Sequence, residues 1–476
     1  MVALGVGVFI GGFDQTFVVP VLSRILDDFQ IPIDEFGQAS WIINGYLLGY
    51  AVAMPLMGRI ADVYGHLRVF VGGLLVFMGG SVLVALAPNL PALTAARALT
   101  ALGGGALVPV AMAITADVLP ERQRPLGLSS VSVLDDTSSL LGPLWGTLIG
   151  VWLGWRGLFW MNLALGLPVL LAVLLAARAR PVARLQRVDW TGGALLTAGL
   201  TALAFALADT GARPRPPWET AALYLAAALV LGIFVWWELR DREPLIDLRA
   251  FRDAQLSLAY GAFLLQGGAL ITALVNIPLI AEVLWGRSGA GPGLVLMRMV
   301  LFMLAGGLLG GVLVRKLGVR LTALAGFALA TAGLLLMRAW PEAPGQLRVW
   351  LTLAVAGAGF TLPDAALYLV VMERAAPGRR ASATALLQVF QTMGMLIGMA
   401  LLASQGLGRF GQRASALFAA NPVDTDPERY RAIIHQTFGD TFAAAAGVML
   451  LATILSAFLA RRLRRDAATA APGDGG

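Results

Sequence analysis

Six charged side chains stand inside long apolar runs of this sequence: Asp14, Arg97, Asp135, Asp136, Arg298 and Asp364. A charge at mid-bilayer costs about 2.5–3.5 kcal/mol on insertion scales, so it is kept where it faces a cavity or an opposite charge. A carboxylate in such a place can bind and release a proton as access alternates between the two sides of a membrane. Asp14 and Arg97 fall at similar depth in their runs and are placed to pair. Asp135 and Asp136 are neighbours, and consecutive helical residues point about 100° apart, so the two do not face one cavity equally. Asp364, just after Pro363, and Arg298 are the weaker candidates. Glu282, Asp209 and Arg338 stand near the ends of runs, where a long side chain reaches water. The neutral polar residues Gln266, Asn276, Gln388 and Gln391 are candidates to line a cavity, with Gln388 and Gln391 one helical turn apart.

The elements that hold these residues are apolar helices. The chain is 58% hydrophobic and 13% charged, against about 25% charged for a soluble domain. A spanning helix needs roughly 20 mostly apolar residues. Fourteen such spans are predicted, near 2–23, 38–60, 67–87, 91–114, 126–151, 156–177, 190–209, 219–237, 254–283, 292–314, 320–338, 348–372, 381–404 and 437–460. With both termini inside, the inner loops carry about twice as many Lys and Arg as the outer ones, as orientation in a membrane requires. The outer loop 405–436 carries Asp424, Asp426 and Glu428 and reads as partly helical around Pro427–Gln436. Trp41, Trp152, Trp155, Trp160, Trp218, Trp236 and Trp237 read mostly as an interfacial belt.

The same composition excludes several classes. No cysteine is present, so disulfides and thiolate metal sites are absent. His66 and His435 are the only histidines and fall in predicted loops, too few for a catalytic or metal cluster. The net charge of +7 sits in short loops between spans, which argues against nucleic acid as a partner. A phosphate-binding loop needs Gly-Lys-Ser/Thr, whereas the single lysine, Lys316, stands between Arg315 and Leu317. Transport would therefore draw on an ion gradient, with no cofactor. The first run starts at Met1 with no cleavable leader before it, an abrupt start that a short leader would relieve.

After the second span comes Gly58-Arg59-Ile60-Ala61-Asp62-Val63-Tyr64-Gly65-His66-Leu67-Arg68, a tight inner turn. It resembles the major facilitator loop signature G-x-L-a-D-r-x-G-r-k at Gly58, Ala61, Asp62 and Gly65, with Arg68 the displaced basic residue. A degenerate copy, Gly311 to Arg320, follows the tenth span with the same spacing of glycines. In the fifth span, Ser138-Ser139-Leu140-Leu141-Gly142-Pro143-Leu144-Trp145-Gly146 is similar to the antiporter signature g-x-x-x-G-P-x-x-G-G. Arg97 opens a stretch like the family's R-x-x-q-G-x-g. Asp14-Gln15-Thr16, Asp189-Trp190-Thr191-Gly192 and Glu243-Pro244-Leu245-Ile246-Asp247 resemble fourteen-helix drug:proton antiporters. Trp41-Ile42, Tyr46 to Tyr50, Ala53 to Leu56 and Gly394-Met395-Leu396-Ile397-Gly398 resemble the mycobacterial triacylglyceride exporters of that family.

The resemblance implies an all-α integral membrane protein of the major facilitator fold. Its six-helix halves would be 1–180 and 251–476, with two inserted linker helices in 181–250. It implies proton antiport exporting a hydrophobic small molecule or lipid, such as triacylglyceride, from a bacterial inner membrane. Asp136 occupies the acidic position of those exporters, so Asp14 and Asp136 are the expected proton-coupling residues. Arg97, Asp135, Asp364 and Arg298 support them. Gly58, Asp62, Gly65 and Arg68 form the expected latch loop, and Gly142, Pro143 and Gly146 the antiporter motif. Loop 405–436 would suit handover to a periplasmic lipid-carrier lipoprotein. Multidrug efflux is the alternative; a polytopic membrane enzyme is a remote one.

Overall fold

The computed structural model describes residues 2–31, 40–120, 124–176, 188–207, 216–241, 244–246, 248–288, 291–375, 380–402 and 427–460. Every regular element among them is helical. In chain order the α-helices are α1 Val2–Thr16, α2 Leu22–Asp28, α3 Trp41–Tyr64, α4 His66–Ala85, α5 Leu90–Val118 and α6 Arg124–Ala176. Then follow α7 Trp190–Leu207, α8 Pro217–Arg240, α9 Ala254–Val283, α10 Gly291–Leu317 and α11 Val319–Arg338. The last four are α12 Gln346–Thr361, α13 Asp364–Arg374, α14 Arg380–Leu401 and α15 Pro427–Ala457. Eleven helices are long and apolar enough to cross a membrane, or twelve if the bent α1–α2 pair is one span.

Breaks in these helices have local chemical causes. α1 and α2 bend by 43° around Pro20, which has no N–H to give the helix ladder. Pro363 separates α12 from α13 at the middle of the predicted twelfth span. α6 runs for 53 residues and is interrupted at Gly154, whose φ of 68° and ψ of 172° are non-helical. That break falls between the predicted fifth and sixth spans.

Packing divides along the chain. α5 lies against α3 and α4, and α1 against α6; α9 lies against α14 and α15, and α11 against α12 and α15. α7 and α8 pack on each other, with α7 also touching α3 and α14. Only 11% of the apolar window of α8 is buried, against 72% for α9, so α8 is peripheral. Lipid gives no hydrophobic drive for helix association, so close backbone approach through small residues must supply it. A methyl on Gly103 would lie 2.6 Å from Gly73 O, and one on Gly398 would lie 2.6 Å from the Gly268 Cα.

The two groups of helices meet at α3–α14 and α6–α10. One apolar cluster runs through both at the predicted outer end, including Phe17, Val19 and Val21 beside Ile271, Leu274, Val295 and Leu296. Glu282, near the end of its run, is half-buried. Residues 403–426, most of the predicted outer loop, lie outside the described residues, and α15 begins at Pro427 within the predicted helical stretch. His435 falls in the part of the outer loop that reads as helical. It lies inside α15, where Nε2 donates to Trp340 O at 2.6 Å, because the helix extends well before the apolar run.

The two inner-loop signatures share one backbone feature. Gly65 joins α3 to α4 with φ 97°, and Gly318 joins α10 to α11 with φ 83°. A side chain is strained at such angles by about 1–3 kcal/mol. The first glycines of the motifs are not so constrained: a methyl on Gly58 would meet nothing nearer than Pro109 Cβ at 3.8 Å, and one on Gly311 would meet nothing within 4 Å. Gly318→Ala is therefore expected to lower the unfolding midpoint in detergent by an amount equivalent to about 1–3 kcal/mol, while Gly311→Ala, with room inside a helix, leaves it unchanged or raises it by the equivalent of up to about 1 kcal/mol. Equal effects of the two substitutions would show that spacing, not the turn, matters.

Candidate functional site

α1, α4, α5 and the second part of α6 converge on a buried ion pair. Asp14 is 0% exposed and Arg97 1%. Arg97 Nη1 donates to Asp14 Oδ2 at 2.6 Å, and Nη2 to the Asp14 carbonyl at 3.3 Å. Asn162 Nδ2 donates to Asp14 Oδ1 at 2.7 Å and to Ser81 Oγ at 3.2 Å. The guanidinium stacks on Tyr46 of α3, 4.0 Å from the ring centroid, a cation–π contact that gains strength out of water. Tyr46 in turn donates to Gly11 O at 3.4 Å. Arg97 Nε and Asn162 Oδ1 have no hydrogen-bond partner among the described residues. The sequence pointed to Asp14 and Arg97; Asn162, Ser81 and Tyr46 were missed. All three are neutral polar residues inside apolar runs, the same signal that marks Gln266, Asn276, Gln388 and Gln391 in the second half.

A second acidic group lies where the halves meet. Asp135, on α6, is buried, and Gln388 Nε2 of α14 donates to its Oδ2 at 3.3 Å. α6 can hold Asp135 here because it packs so closely on α1. Thr16 Oγ1 donates to Ser139 O at 2.6 Å, and Ser139 Oγ donates to Gly12 O at 3.2 Å. A methyl on Gly142 would lie 2.9 Å from Phe13 O, and one on Gly146 would strike Phe17 O. The expected antiporter motif, with Pro143 inside the helix, is thus the packing face of α6 on α1. The side chains of Asp136 and Asp62 lie outside the described residues.

In the second half, Gln266 Nε2 donates to Phe360 O at 2.6 Å and to Asp364 Oδ1 at 2.8 Å, bridging the α12–α13 break. Asn276 donates to Thr441 Oγ1 at 2.8 Å. Arg298 corrects the expectation of an inward-facing charge. It donates to Gln346 Oε1 at 2.9 Å, near an exposed edge, and lies 4.8 Å from the Trp350 ring centroid. Its long stem lets the charge leave the apolar zone.

A cleft of about 280 Å³ opens between α9, α14 and α15. Its wall is apolar except for Thr272, Thr437, Thr441 and Asp440. Gln266, Asn276, Gln388 and Gln391, the expected cavity-lining residues, do not line it; the Gln391 carbonyl instead abuts Gly267 where α9 and α14 cross. Gly394 and Gly398 do line it.

At the opposite end of the bundle, the first inner-loop turn contains a partner that the sequence did not reveal. His66, expected in a loop, opens α4, and its Nδ1 lies 2.6 Å from Asp117 Oδ2 on α5. Two tryptophans of the expected belt act as hydrogen-bond donors. Trp155 is 4% exposed and donates to Asp28 at 2.9 Å, while Trp237 donates to Asp189.

Breaking a buried ion pair by removing one partner costs about 3–5 kcal/mol, because an unpaired charge remains. Asp14→Ala and Arg97→Ala are each expected to destabilise the protein in detergent by roughly that much. The double variant Asp14→Ala/Arg97→Ala should be destabilised by clearly less than the sum. Additive losses in the denaturation midpoints would mean that the two groups do not stabilise each other.

The fold agrees with that of known proteins. The chain is 32% identical to a triacylglyceride transporter of Mycolicibacterium hassiacum, over 96% of this chain and 91% of that protein. It is 30% identical to a triacylglyceride transporter of Mycobacterium tuberculosis, over 96% of this chain and 93% of that protein. Among solved structures, an inward-facing bacterial homologue of the human lysosomal transporter Spinster superposes with a TM-score of 0.66 at 17% identity, covering 96% of this chain and 95% of that one. A D-xylose–proton symporter superposes with a TM-score of 0.63 at 15% identity, covering 94% and 96%. The family model for the Major Facilitator Superfamily matches residues 4–399, and the chain belongs to that superfamily of membrane transporters.

Proposed function

We propose that this protein exports a neutral, hydrophobic lipid by alternating access, coupled to proton entry across a bacterial inner membrane. In this reading α6 counts as two spans, and α1–α2, α12–α13 and α14 as one each, giving fourteen with both termini cytoplasmic. Residues 1–180 and 251–476 act as the two halves, and α7 and α8 as an inserted pair. The observation that carries the lipid assignment is the cleft between α9, α14 and α15. A wall of Leu, Ile, Val, Ala and Gly with three threonines and one acid suits acyl chains with a small ester end, since few fixed polar groups are needed to orient such a ligand. The relatives named as triacylglyceride transporters support the same substrate class.

Coupling is assigned to the carboxylate at the seam. Asp14 is held by Arg97 inside one half, so alternation need not disturb it. Asp135 touches Gln388 of the other half, so separation of α6 from α14 must change its surroundings. A proton arriving there would remove the charge during the reorientation that carries it past apolar side chains. Gln388 can stay hydrogen-bonded to either form, through its amide N–H or its carbonyl.

The test is export of triacylglycerol from proteoliposomes under an imposed pH gradient. Asp135→Asn should abolish the dependence on the gradient while retaining lipid binding. Ala444→Trp, which fills the cleft from an exposed position, should cut export at least about tenfold, the effect of roughly 1.4 kcal/mol, with the unfolding midpoint unchanged. Pumping of a dicationic drug with no bound neutral lipid in native mass spectrometry would overturn the assignment in favour of drug efflux.

A further inference from the structure

Away from both acidic sites, two carboxylates are buried together at the foot of α7 and α8. Asp189 is 7% exposed and Glu238 2%. Asp189 precedes α7, and its Oδ1 accepts a hydrogen bond from Gly192 N at 2.8 Å. Trp237 Nε1 donates to both of its oxygens, at 3.1 and 3.2 Å. Glu238 Oε2 accepts from Ile246 N at 3.1 Å. The other oxygen, Oε1, is buried with no hydrogen-bond partner among the described residues. A methyl on Gly192 would lie 2.7 Å from Glu238 Oε1 and would strike Asp189 Oδ2, so these two oxygens face the same point beside the Gly192 Cα. Among the described residues, the charged groups that act on Glu238 are Asp189 and Asp241, both acidic. Among the described residues no arginine or lysine pairs with Asp189 or Glu238.

An unpaired, buried carboxylate tends to neutralise rather than stay charged, and two carboxylates sharing a site hold one proton between them. We propose that Asp189 and Glu238 form a one-proton carboxyl pair that clamps the inserted helices to the segment leading into the second half. The proton resides on Glu238 Oε1 and is donated to Asp189 Oδ2, which satisfies the one oxygen that otherwise lacks a partner. Oε2 remains free to hold the Ile246 N–H. When the proton leaves to water, two like charges face each other out of solvent and the clamp opens.

What the clamp holds is a side chain at a junction. Ile246 is 5% exposed and belongs to a cluster with Ala51 and Val52 of α3 and Leu196 of α7, against which Leu386 and Met393 of α14 also pack. α3 and α14 are a contact between the two halves. The carboxyl pair therefore controls an apolar peg seated where the inserted helices meet that contact. Proton occupancy there would set how readily the seam opens, whatever the cargo.

The chain contains no cysteine, so Leu245→Cys gives a unique reporter beside the peg. The full-length protein in nanodiscs is titrated with two readouts: the infrared C=O band of protonated carboxyl groups and the rate of maleimide labelling at position 245. Each rate is divided by that of the Glu238→Gln background at the same pH, which removes the pH dependence of the thiol itself. We expect one component of the C=O band to disappear as pH rises and to be missing from Glu238→Gln. The relative labelling rate should rise with it, by about tenfold if the clamp contributes roughly 1.4 kcal/mol. Asp189→Asn removes the like charge, so Glu238 should lose its proton at lower pH and labelling should stay slow. If Glu238→Gln fails to fold, a C=O component that titrates in Asp189→Asn where it does in the parent would overturn the pair. An unchanged band in Glu238→Gln, or a relative rate that stays flat, would do the same. No substrate enters the measurement, so failure of the lipid assignment leaves it intact.

Discussion

A carboxylate and a guanidinium, 2.6 Å apart and sealed from solvent, hold the centre of the first half. Each charge alone would be expelled from an apolar interior. Together they are tolerated because Asn162 takes the second carboxylate oxygen and Tyr46 offers its ring face to the cation. These contacts come from α1, α3, α5 and the second part of α6, so the pair sets the relative rotation of those helices. No apolar substitute could specify that arrangement, since dispersion between alkyl groups has little directional preference.

The second half solves the same problem without a buried ion pair among the described residues. Its acidic group, Asp364, sits at the break between α12 and α13 and is held by an amide, Gln266. An amide–carboxylate contact is weaker and easier to rearrange than a charge pair. Among the described residues, one half is thus locked by a buried ion pair and the other by amide hydrogen bonds and glycine contacts. The glycines matter because α9 and α14 cross with backbone against backbone at Gly268 and Gly398. Such crossings keep helices together in lipid while allowing the small rotations that alternating access needs.

The seam between the halves is chemically sparse. Apolar packing closes the predicted outer end, and Asp135 with Gln388 supplies a polar contact across it. A transporter must break such contacts in every cycle, so a seam rich in buried charge would impose a barrier too high for repeated opening. The inserted helices add a third body at this junction, tied in through Asp189, Trp237, Glu238 and Ile246.

Much of this was legible in the sequence because hydropathy and backbone stereochemistry are local. Apolar runs became helices, Gly65 and Gly318 took the positive φ that their turns require, and Gly154 interrupted α6 between two predicted spans. The Asp14–Arg97 pairing could be anticipated because opposite charges at equal depth have few other solutions. What the sequence could not decide was rotation: a shift of one residue turns a side chain by about 100° around the helix axis. So Arg298 proved to point to an edge, Trp155 and Trp237 to donate to Asp28 and Asp189, and the four polar candidates of the second half to lie off the cleft. Asn162 and Asp14 are 148 residues apart, and Gln388 and Asp135 are 253 apart. Only the packed helices bring such groups within hydrogen-bonding distance, because that depends on how every intervening helix is rotated and crossed.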